Sequence, residues 1–219
     1  MSTMGRAAAR PFTIALLGAE STGKTALAAA LSAHALRHGI DAAVVPEQLR
    51  AWCDTHGRTP RRDEQAPLAQ AQRAAIEDAA RHLMSAAAPG APSAWLIADT
   101  TPLMTAIYSQ QVFGDDALLA EGLAFHRLQV DVTLLLGLDL PWVPDGLQRD
   151  GPQVRAPVDA RLRHALAGAA LPHAVVYGQG PARLRAALRA ISKHTRAAFE
   201  EESKTIANLL DLTPANGRK

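Results

Sequence analysis

One segment near the start of the chain limits the possible folds more than any other. The run Gly18-Ala19-Glu20-Ser21-Thr22-Gly23-Lys24-Thr25 matches the phosphate-loop pattern Gly-x4-Gly-Lys-Ser/Thr at every fixed position. It follows the apolar run 12–17 and precedes residues with helical spacing, which is the strand-before, helix-after context that such a loop requires. The segment predicts a strand–loop–helix unit that binds phosphate groups, and the alternative is a glycine-rich turn that binds nothing.

The chemistry of this loop depends on its fixed residues. Gly18 and Gly23 allow backbone torsions that turn N–H groups towards phosphate oxygens at the positive end of a helix. Lys24 supplies a positive charge to the β- and γ-phosphates, and the Thr25 hydroxyl is a ligand for Mg²⁺. We therefore expect ATP and Mg²⁺ as cofactors. The residues expected to bind the nucleotide are Gly18, Glu20, Ser21, Thr22, Gly23, Lys24, Thr25 and Ala26.

Short apolar runs alternate with stretches of helical spacing along the rest of the chain. The apolar runs cover residues 12–17, 42–45, 95–98, 130–136 and 174–177, and the main helical stretches cover 24–38, 63–87, 102–113 and 116–129. Strands that alternate with helices form parallel sheets covered on both faces. The sequence therefore predicts an α/β fold with a five-stranded, mostly parallel sheet.

The length of 219 residues favours one domain with appendages over two separate cores. We expect a flexible N-terminus over 1–10, a phosphate-binding domain over 11–191, and a C-terminal helical extension and tail over 192–219. The helix of that extension, over 197–212, would pack on the domain or on a partner subunit. Residues 140–158 are rich in Pro, Gly and Arg, and we expect a mobile lid there because the strand–helix pattern resumes after them.

The composition indicates the cellular location of the protein and the classes of partner it can bind. Cys53 is the only cysteine, so no intramolecular disulfide can form, and a reducing cytoplasm is the expected location. The 23 basic and 21 acidic residues nearly balance, without the clustered basic face of nucleic-acid-binding proteins. No apolar run approaches the ~18 residues of a membrane span. The expected partners are a nucleoside triphosphate and a small-molecule acceptor, with neither nucleic acid nor membrane, and a homo-oligomer is left open.

Two carboxylates at predicted strand ends are candidates for catalysis. Asp99 closes the third apolar run, where it would hold Mg²⁺ together with Thr25, or alternatively cap the following helix. Glu47 ends the second run and could accept a proton from an acceptor hydroxyl, or alternatively pair with Arg50.

Two arginines in the predicted lid are further candidates. Arg149 and Arg155 could offset the charge that develops on a transferred phosphoryl group, although exposed loop arginines are common. With Lys24, Glu47 and Asp99 they complete the predicted catalytic set.

Taken together, these motifs resemble the ribosylnicotinamide kinase domain of NadR-type proteins, a P-loop kinase-like family. The resemblance spans residues 12–191 and is carried by the phosphate loop, Pro46-Glu47 followed by Arg50, the pair Gln72-Arg73, the run Ile97-Ala98-Asp99-Thr100, and the run Pro141-Trp142-Val143-Pro144-Asp145-Gly146-Leu147.

The resemblance implies a three-layer sandwich of the P-loop NTPase type with strand order 2-3-1-4-5. It also implies ATP- and Mg²⁺-dependent phosphorylation of the ribose 5′-hydroxyl of nicotinamide riboside, a reaction of NAD salvage. By the same resemblance, the acceptor would be bound by Glu47, Arg50, Gln72 and Arg73. Two other interpretations are a nucleotide-dependent switch or regulatory ATPase without a metabolite acceptor, and a basic ATPase associated with nucleic acid.

Overall fold

The computed structural model describes residues 10–86, 94–143 and 151–210, with side chains described as far as residue 196. Within these residues a five-stranded sheet has the order β2-β3-β1-β4-β5, and every pairing between its strands is parallel. The predicted α/β fold and strand order are confirmed. The strands are β1 (Phe12–Leu17), β2 (Ala42–Val45), β3 (Trp95–Asp99), β4 (Val132–Leu136) and β5 (Ala174–Val176).

Helices cover both faces of this sheet. They are α1 (Lys24–Arg37), α2 (Gln48–His56), α3 (Gln65–Ala86), α4 (Pro102–Phe113), α5 (Leu119–Gln129), α6 (Arg155–Gly168) and α7 (Gly180–Leu210). Short 3-10 turns, Arg62–Glu64 and Pro152–Val154, precede α3 and α6. Each helix that the structure describes is too short or too polar to be a candidate membrane span.

The core consists of apolar layers on the two faces of the sheet. Successive side chains of a strand point to opposite faces, so Leu16 packs with residues of α1 and α7, whereas Leu17 packs with residues of α4 and α6. On one face the packed helical residues include Leu31 and Ala187, and on the other they include Ile107. The sheet is therefore the middle layer of a three-layer sandwich.

The parallel arrangement brings the functional candidates to one edge of the sheet. The phosphate loop follows β1, Glu47 follows β2, and Asp99 closes β3. Because all strands point in the same direction, these residues leave the sheet at its carboxyl edge, where ligands of open α/β sheets bind.

The structure differs from the sequence prediction at several helices. Helix α2 was not predicted, because it has only nine residues and its three apolar side chains at helical spacing, Leu49, Trp52 and Cys53, are too few to distinguish it from a loop. The predicted lid over 140–158 is wrong at its end, since residues 155–158 belong to α6 and Val158 is fully buried. Residues 144–150 of that lid, including Arg149, lie outside the described residues.

The C-terminal part of the chain also differs. The helix predicted over 197–212 is not a separate element, because α7 begins at Gly180 and continues without a break to Leu210. The predicted domain boundary after residue 191 therefore falls inside a helix. Ile191 itself is buried in the core, which shows that the first part of α7 packs against the sheet.

Candidate functional site

The loop between β1 and α1 has a backbone that only certain residues can adopt. Gly18 has φ +150° and Gly23 has φ +82°, and Ser21 between them has φ +53°. A Cβ atom at Gly18 would lie 3.0 Å from Thr22 Oγ1 and 3.1 Å from the Leu136 carbonyl oxygen, so a larger residue would have to displace backbone. Left-handed torsions of this kind form concave turns whose N–H groups can bind an anion.

Lys24 places its positive charge directly on this loop. Its Nζ donates hydrogen bonds to the carbonyl oxygens of Gly18 at 2.9 Å and Ala19 at 3.1 Å, and the side chain is buried. The Thr22 hydroxyl donates to the same Ala19 carbonyl at 2.8 Å. An ammonium has three N–H donors, so the two bonds made here leave capacity for an anion. The loop therefore combines a concave backbone with the positively charged ammonium of Lys24, which is hydrogen-bonded in place.

Thr25 and Asp99 meet across the sheet edge. The Thr25 hydroxyl donates to Asp99 Oδ2 at 2.6 Å, and Asp99 is 2% exposed. The other carboxylate oxygen, Oδ1, is buried without a hydrogen-bond partner among the described residues. The helix N-cap after this strand is Thr101, so Asp99 does not have the capping role that was the alternative.

The unpartnered oxygen of Asp99 fits a divalent cation. A buried polar atom without a partner requires an explanation, and a carboxylate beside a hydroxyl is the oxygen donor set that Mg²⁺ prefers. The described part of the chain has no group of three or more His, Cys, Asp or Glu side chains suited to a metal. Thr25 and Asp99 would supply two ligands to Mg²⁺, and bound phosphate and water would supply the others.

Glu47 borders two concave spaces. The first is an open cleft of about 610 Å³ beside the phosphate loop, and the second is a more enclosed cavity of about 320 Å³. Glu47 lines both of them. The cleft is otherwise lined by Ser21, Thr22, Gly23, Lys24, Thr25, Ala26, Arg50, Leu140, Pro141, Val143 and Gln179. Glu47 therefore lies beside both spaces in which a ligand could bind.

The cavity has the size and the lining of a small-molecule site. Its walls combine apolar side chains, among them Leu68, Met104 and Phe113, with the polar side chains of Gln65 and Thr105. Ligand sites of about 300–1,000 Å³ are typically apolar with a few polar groups that orient the ligand. Thr100 also lines the cavity and has φ +86°, a strained torsion for a β-branched residue and one that often marks functional sites.

The two residues of the Gln72-Arg73 pair have different surroundings. Gln72 lines the cavity, and its side chain accepts the Gln48 N–H at 2.8 Å through Oε1 and donates to the Pro46 carbonyl at 3.4 Å through Nε2. It therefore holds the backbone on both sides of Glu47. Arg73 instead bonds Glu77 at 2.9 Å and Glu121 at 3.2 Å on the protein surface.

The expectation that Arg73 contacts the acceptor is therefore corrected. Gln72 faces the cavity and Arg73 faces the surface because adjacent residues of a helix point about 100° apart.

The other predicted arginines also lie elsewhere than expected. Arg50 lines the cleft rather than the more enclosed cavity, so it lies on the phosphate side of Glu47. Arg155 is not in a mobile lid either. It is the first residue of α6, it is buried, and its Nη2 donates to the Leu140 carbonyl at 2.9 Å.

Sequence reasoning missed Arg183 and Asp139, which belong to no motif. Arg183 of α7 is 3% exposed and bonds both the Thr22 carbonyl and Asp139. Burial lowers the pKa of its guanidinium, while Asp139 acts in the opposite direction and favours the charged form. Helix α7 also carries Arg185 and Arg189, and nothing in a single sequence indicates that Arg183 is the one that reaches a loop so distant along the chain.

Comparisons with known proteins agree with this architecture. The model of the AAA domain family matches residues 13–183. A search of curated proteins found no match. Among solved structures, a NadR protein in complex with NAD and AMP-PNP has a TM-score of 0.61 and 20% identity over 84% of this chain and 49% of that chain. A NadR protein in complex with NR has a TM-score of 0.59 and 18% identity over 84% of this chain and 52% of that chain.

Two further structures share the fold at lower identity. A deoxyadenosine kinase from M. mycoides has a TM-score of 0.54 and 13% identity over 83% of this chain and all (100%) of that chain. A thymidylate kinase from Ehrlichia chaffeensis has a TM-score of 0.54 and 12% identity over 78% of this chain and 88% of that chain. At these identities the likeness concerns the fold, and the present chain spans about half the length of the NadR chains. The resemblance to NadR-type proteins is confirmed as a likeness of fold.

Proposed function

This chain belongs to the AAA domain family, and we propose that it is an ATP-dependent kinase of a small nucleoside-like acceptor. The observation that carries the proposal is that Glu47 lines both the cleft beside the phosphate loop and the enclosed cavity. A phosphoryl transfer needs donor and acceptor on opposite sides of one reacting point. A switch that only binds and hydrolyses ATP has no need of the second cavity.

The phosphate loop and Lys24 are proposed to bind the β- and γ-phosphates of ATP. The N–H groups of the loop and the Lys24 ammonium would balance the negative charge of the phosphates. Thr25 and Asp99 would hold Mg²⁺, which when bound neutralises charge on the phosphate oxygens.

Glu47 is proposed as the general base. Its carboxylate would accept the proton of the acceptor hydroxyl while the hydroxyl oxygen forms a bond to the γ-phosphorus and the bond to the ADP oxygen breaks. Gln72 supports this role because it holds the peptide groups on both sides of Glu47. The apolar walls of the cavity would limit access of water that could otherwise hydrolyse ATP.

The acceptor that we propose is the ribose 5′-hydroxyl of nicotinamide riboside, in a cytoplasmic NAD-salvage reaction. Support comes from the sequence motifs shared with NadR-type proteins and from the fold shared with the NadR protein solved in complex with NR. Arg149, which would offset charge on the transferred group, remains a candidate from the sequence. A cavity of about 320 Å³ is sufficient for a nucleoside-sized molecule.

A panel assay tests the proposal. ATP consumption and acceptor phosphorylation would be followed with nicotinamide riboside, thymidine, uridine, shikimate and no acceptor. We expect a rate that depends on the acceptor, that is lost in Lys24→Ala, and that falls by about a hundredfold or more in Glu47→Gln with ATP binding retained. Consumption of ATP that is independent of every acceptor would favour the regulatory ATPase, and full activity of Glu47→Gln would contradict the base assignment.

A further inference from the structure

Arg183 reaches from α7 into the backbone of the phosphate loop. Its Nη1 donates to the carbonyl oxygen of Thr22, and its Nη2 donates to Asp139 Oδ1 at 2.6 Å. The guanidinium side chain is 4% exposed, whereas the Asp139 side chain is 29% exposed. Removing a charged guanidinium from water costs free energy, so the buried position of Arg183 requires specific interactions that stabilise its charge.

The carbonyl that Arg183 contacts belongs to the same peptide unit as the N–H of Gly23. This peptide is trans, because the described residues contain no cis bonds, so the Gly23 N–H points away from Arg183. Thr22 and Gly23 both line the cleft. A cation on the carbonyl side of a peptide polarises it and makes the N–H a stronger donor to an anion on the other side.

The approach of Arg183 also explains the glycine at position 23. A Cβ atom there would lie 3.1 Å from Arg183 Nη1 and 3.3 Å from Leu140 Cδ1. The left-handed torsion of Gly23 disfavours a larger residue, and a side chain there would also require the guanidinium to shift. The guanidinium of Arg183 therefore lies close against Gly23 and also bonds the carbonyl oxygen of Thr22.

Asp139 extends the contact to a third segment. Its Oδ2 accepts the Gly178 N–H at 2.5 Å, while its Oδ1 accepts from Arg183. Gly178 lies in the turn between β5 and α7, and the next residue, Gln179, lines the cleft. One ion pair therefore connects the phosphate loop, the segment after β4 and the β5–α7 turn.

We propose that Arg183 is a positioning residue for the phosphates: it fixes and polarises the Thr22–Gly23 peptide so that the Gly23 N–H is directed to a bound phosphate, and Asp139 couples that peptide to the β5–α7 turn. The inference rests on the proposed binding of ATP at this loop. It adds a contribution from a helix that no phosphate-loop motif includes.

The test measures binding of Mg-ATP and of Mg-tripolyphosphate by titration calorimetry to the wild-type chain, Arg183→Gln, Arg183→Lys and Asp139→Asn. We expect Arg183→Gln to weaken both ligands by about ten- to a hundredfold, because a charged hydrogen bond to the loop is lost. Arg183→Lys retains a cation and should lose less, and Asp139→Asn, which keeps the shape of the side chain, should also lose less.

Arg10→Gln is the matched control. Arg10 also pairs with an aspartate, Asp131, at 2.5 and 2.8 Å, but it precedes β1 at the opposite edge of the sheet. Urea unfolding of each variant separates lost stability from lost affinity. If Arg183→Gln loses only stability and binds both ligands as the wild-type chain does, the inference is overturned.

Two other outcomes separate the inference from the proposed function. Weakened ATP binding with unchanged tripolyphosphate binding would overturn the inference, because Arg183 would then act through the base or the ribose. If the wild-type chain binds both ligands and Arg183→Gln weakens both, but no acceptor is phosphorylated, the inference holds and the kinase proposal fails. A wild-type chain that binds neither ligand contradicts both.

Discussion

Replacing Gln72 with methionine removes the two hydrogen bonds that hold the backbone around Glu47 while nearly preserving the side-chain volume. Gln72 is 2% exposed and bonds the Gln48 N–H at 2.8 Å and the Pro46 carbonyl at 3.4 Å. The first bond has ordinary geometry, and the second is near the outer limit of distance. Methionine has no donor for the second bond, and its thioether sulfur is only a weak acceptor for the first.

The expected magnitude follows from these two contacts. The shorter bond is worth about 1 kcal/mol, and leaving the partly buried Gln48 N–H without its partner adds a cost, so about 1–2 kcal/mol of the free energy of unfolding should be lost. If the same energy orients Glu47, kcat should fall by about tenfold, since about 1.4 kcal/mol corresponds to a factor of ten. The decrease should be smaller than in Glu47→Gln, where the base itself is removed.

The assay compares kcat and KM for ATP and for the acceptor in wild type, Gln72→Met, Glu47→Gln and the control Gln70→Met. Gln70 lies on the same helix but is exposed, so its replacement should change neither kcat nor stability. KM for ATP should be unchanged in Gln72→Met, because the phosphate loop is not altered. A wild-type kcat in Gln72→Met, with Glu47→Gln strongly impaired, would refute the view that Gln72 positions the base.

Two further predictions concern the metal and the pH dependence of stability. Asp99→Asn keeps the shape of the side chain beside Thr25 but removes its charge. At fixed ATP, the Mg²⁺ concentration that gives the half-maximal rate should therefore rise about tenfold or more. An unchanged Mg²⁺ titration would contradict the metal role of Asp99. His126 lies between the hydroxyls of Thr101 and Thr133, and burial lowers its pKa from 6.5 to about 4. The unfolded chain therefore binds a proton that the folded chain does not as the pH falls below 6.5, and by pH 4 about 3 kcal/mol of the free energy of unfolding should be lost. Urea unfolding at pH 7 and pH 4.5 gives the loss in free energy of unfolding over this range. The loss should be smaller in His126→Gln than in wild type, and equal losses would show that His126 does not cause the pH dependence.

Much of the fold could be predicted because its signals are local. Each strand is a short apolar run, and the phosphate loop is one contiguous motif whose glycines are required by their own torsions. The carboxylates Glu47 and Asp99 could be identified as candidates for a similar reason, since each stands at a strand end and parallel strands end at one edge. Helix α2 was not predicted because its inward face consists of only three apolar residues over nine positions.

Residues close together in the chain are sufficient to predict which backbone segments are strands, which loop has the phosphate-binding pattern and which carboxylates stand beside it. How side chains from distant segments meet depends instead on tertiary packing. It directs Gln72 to the backbone around Glu47 and Arg73 to the surface, although they are neighbours in sequence. It also brings Arg183 to Thr22 across 161 positions of the chain, a contact that arises from the packing of α7 on the sheet and that no local pattern encodes.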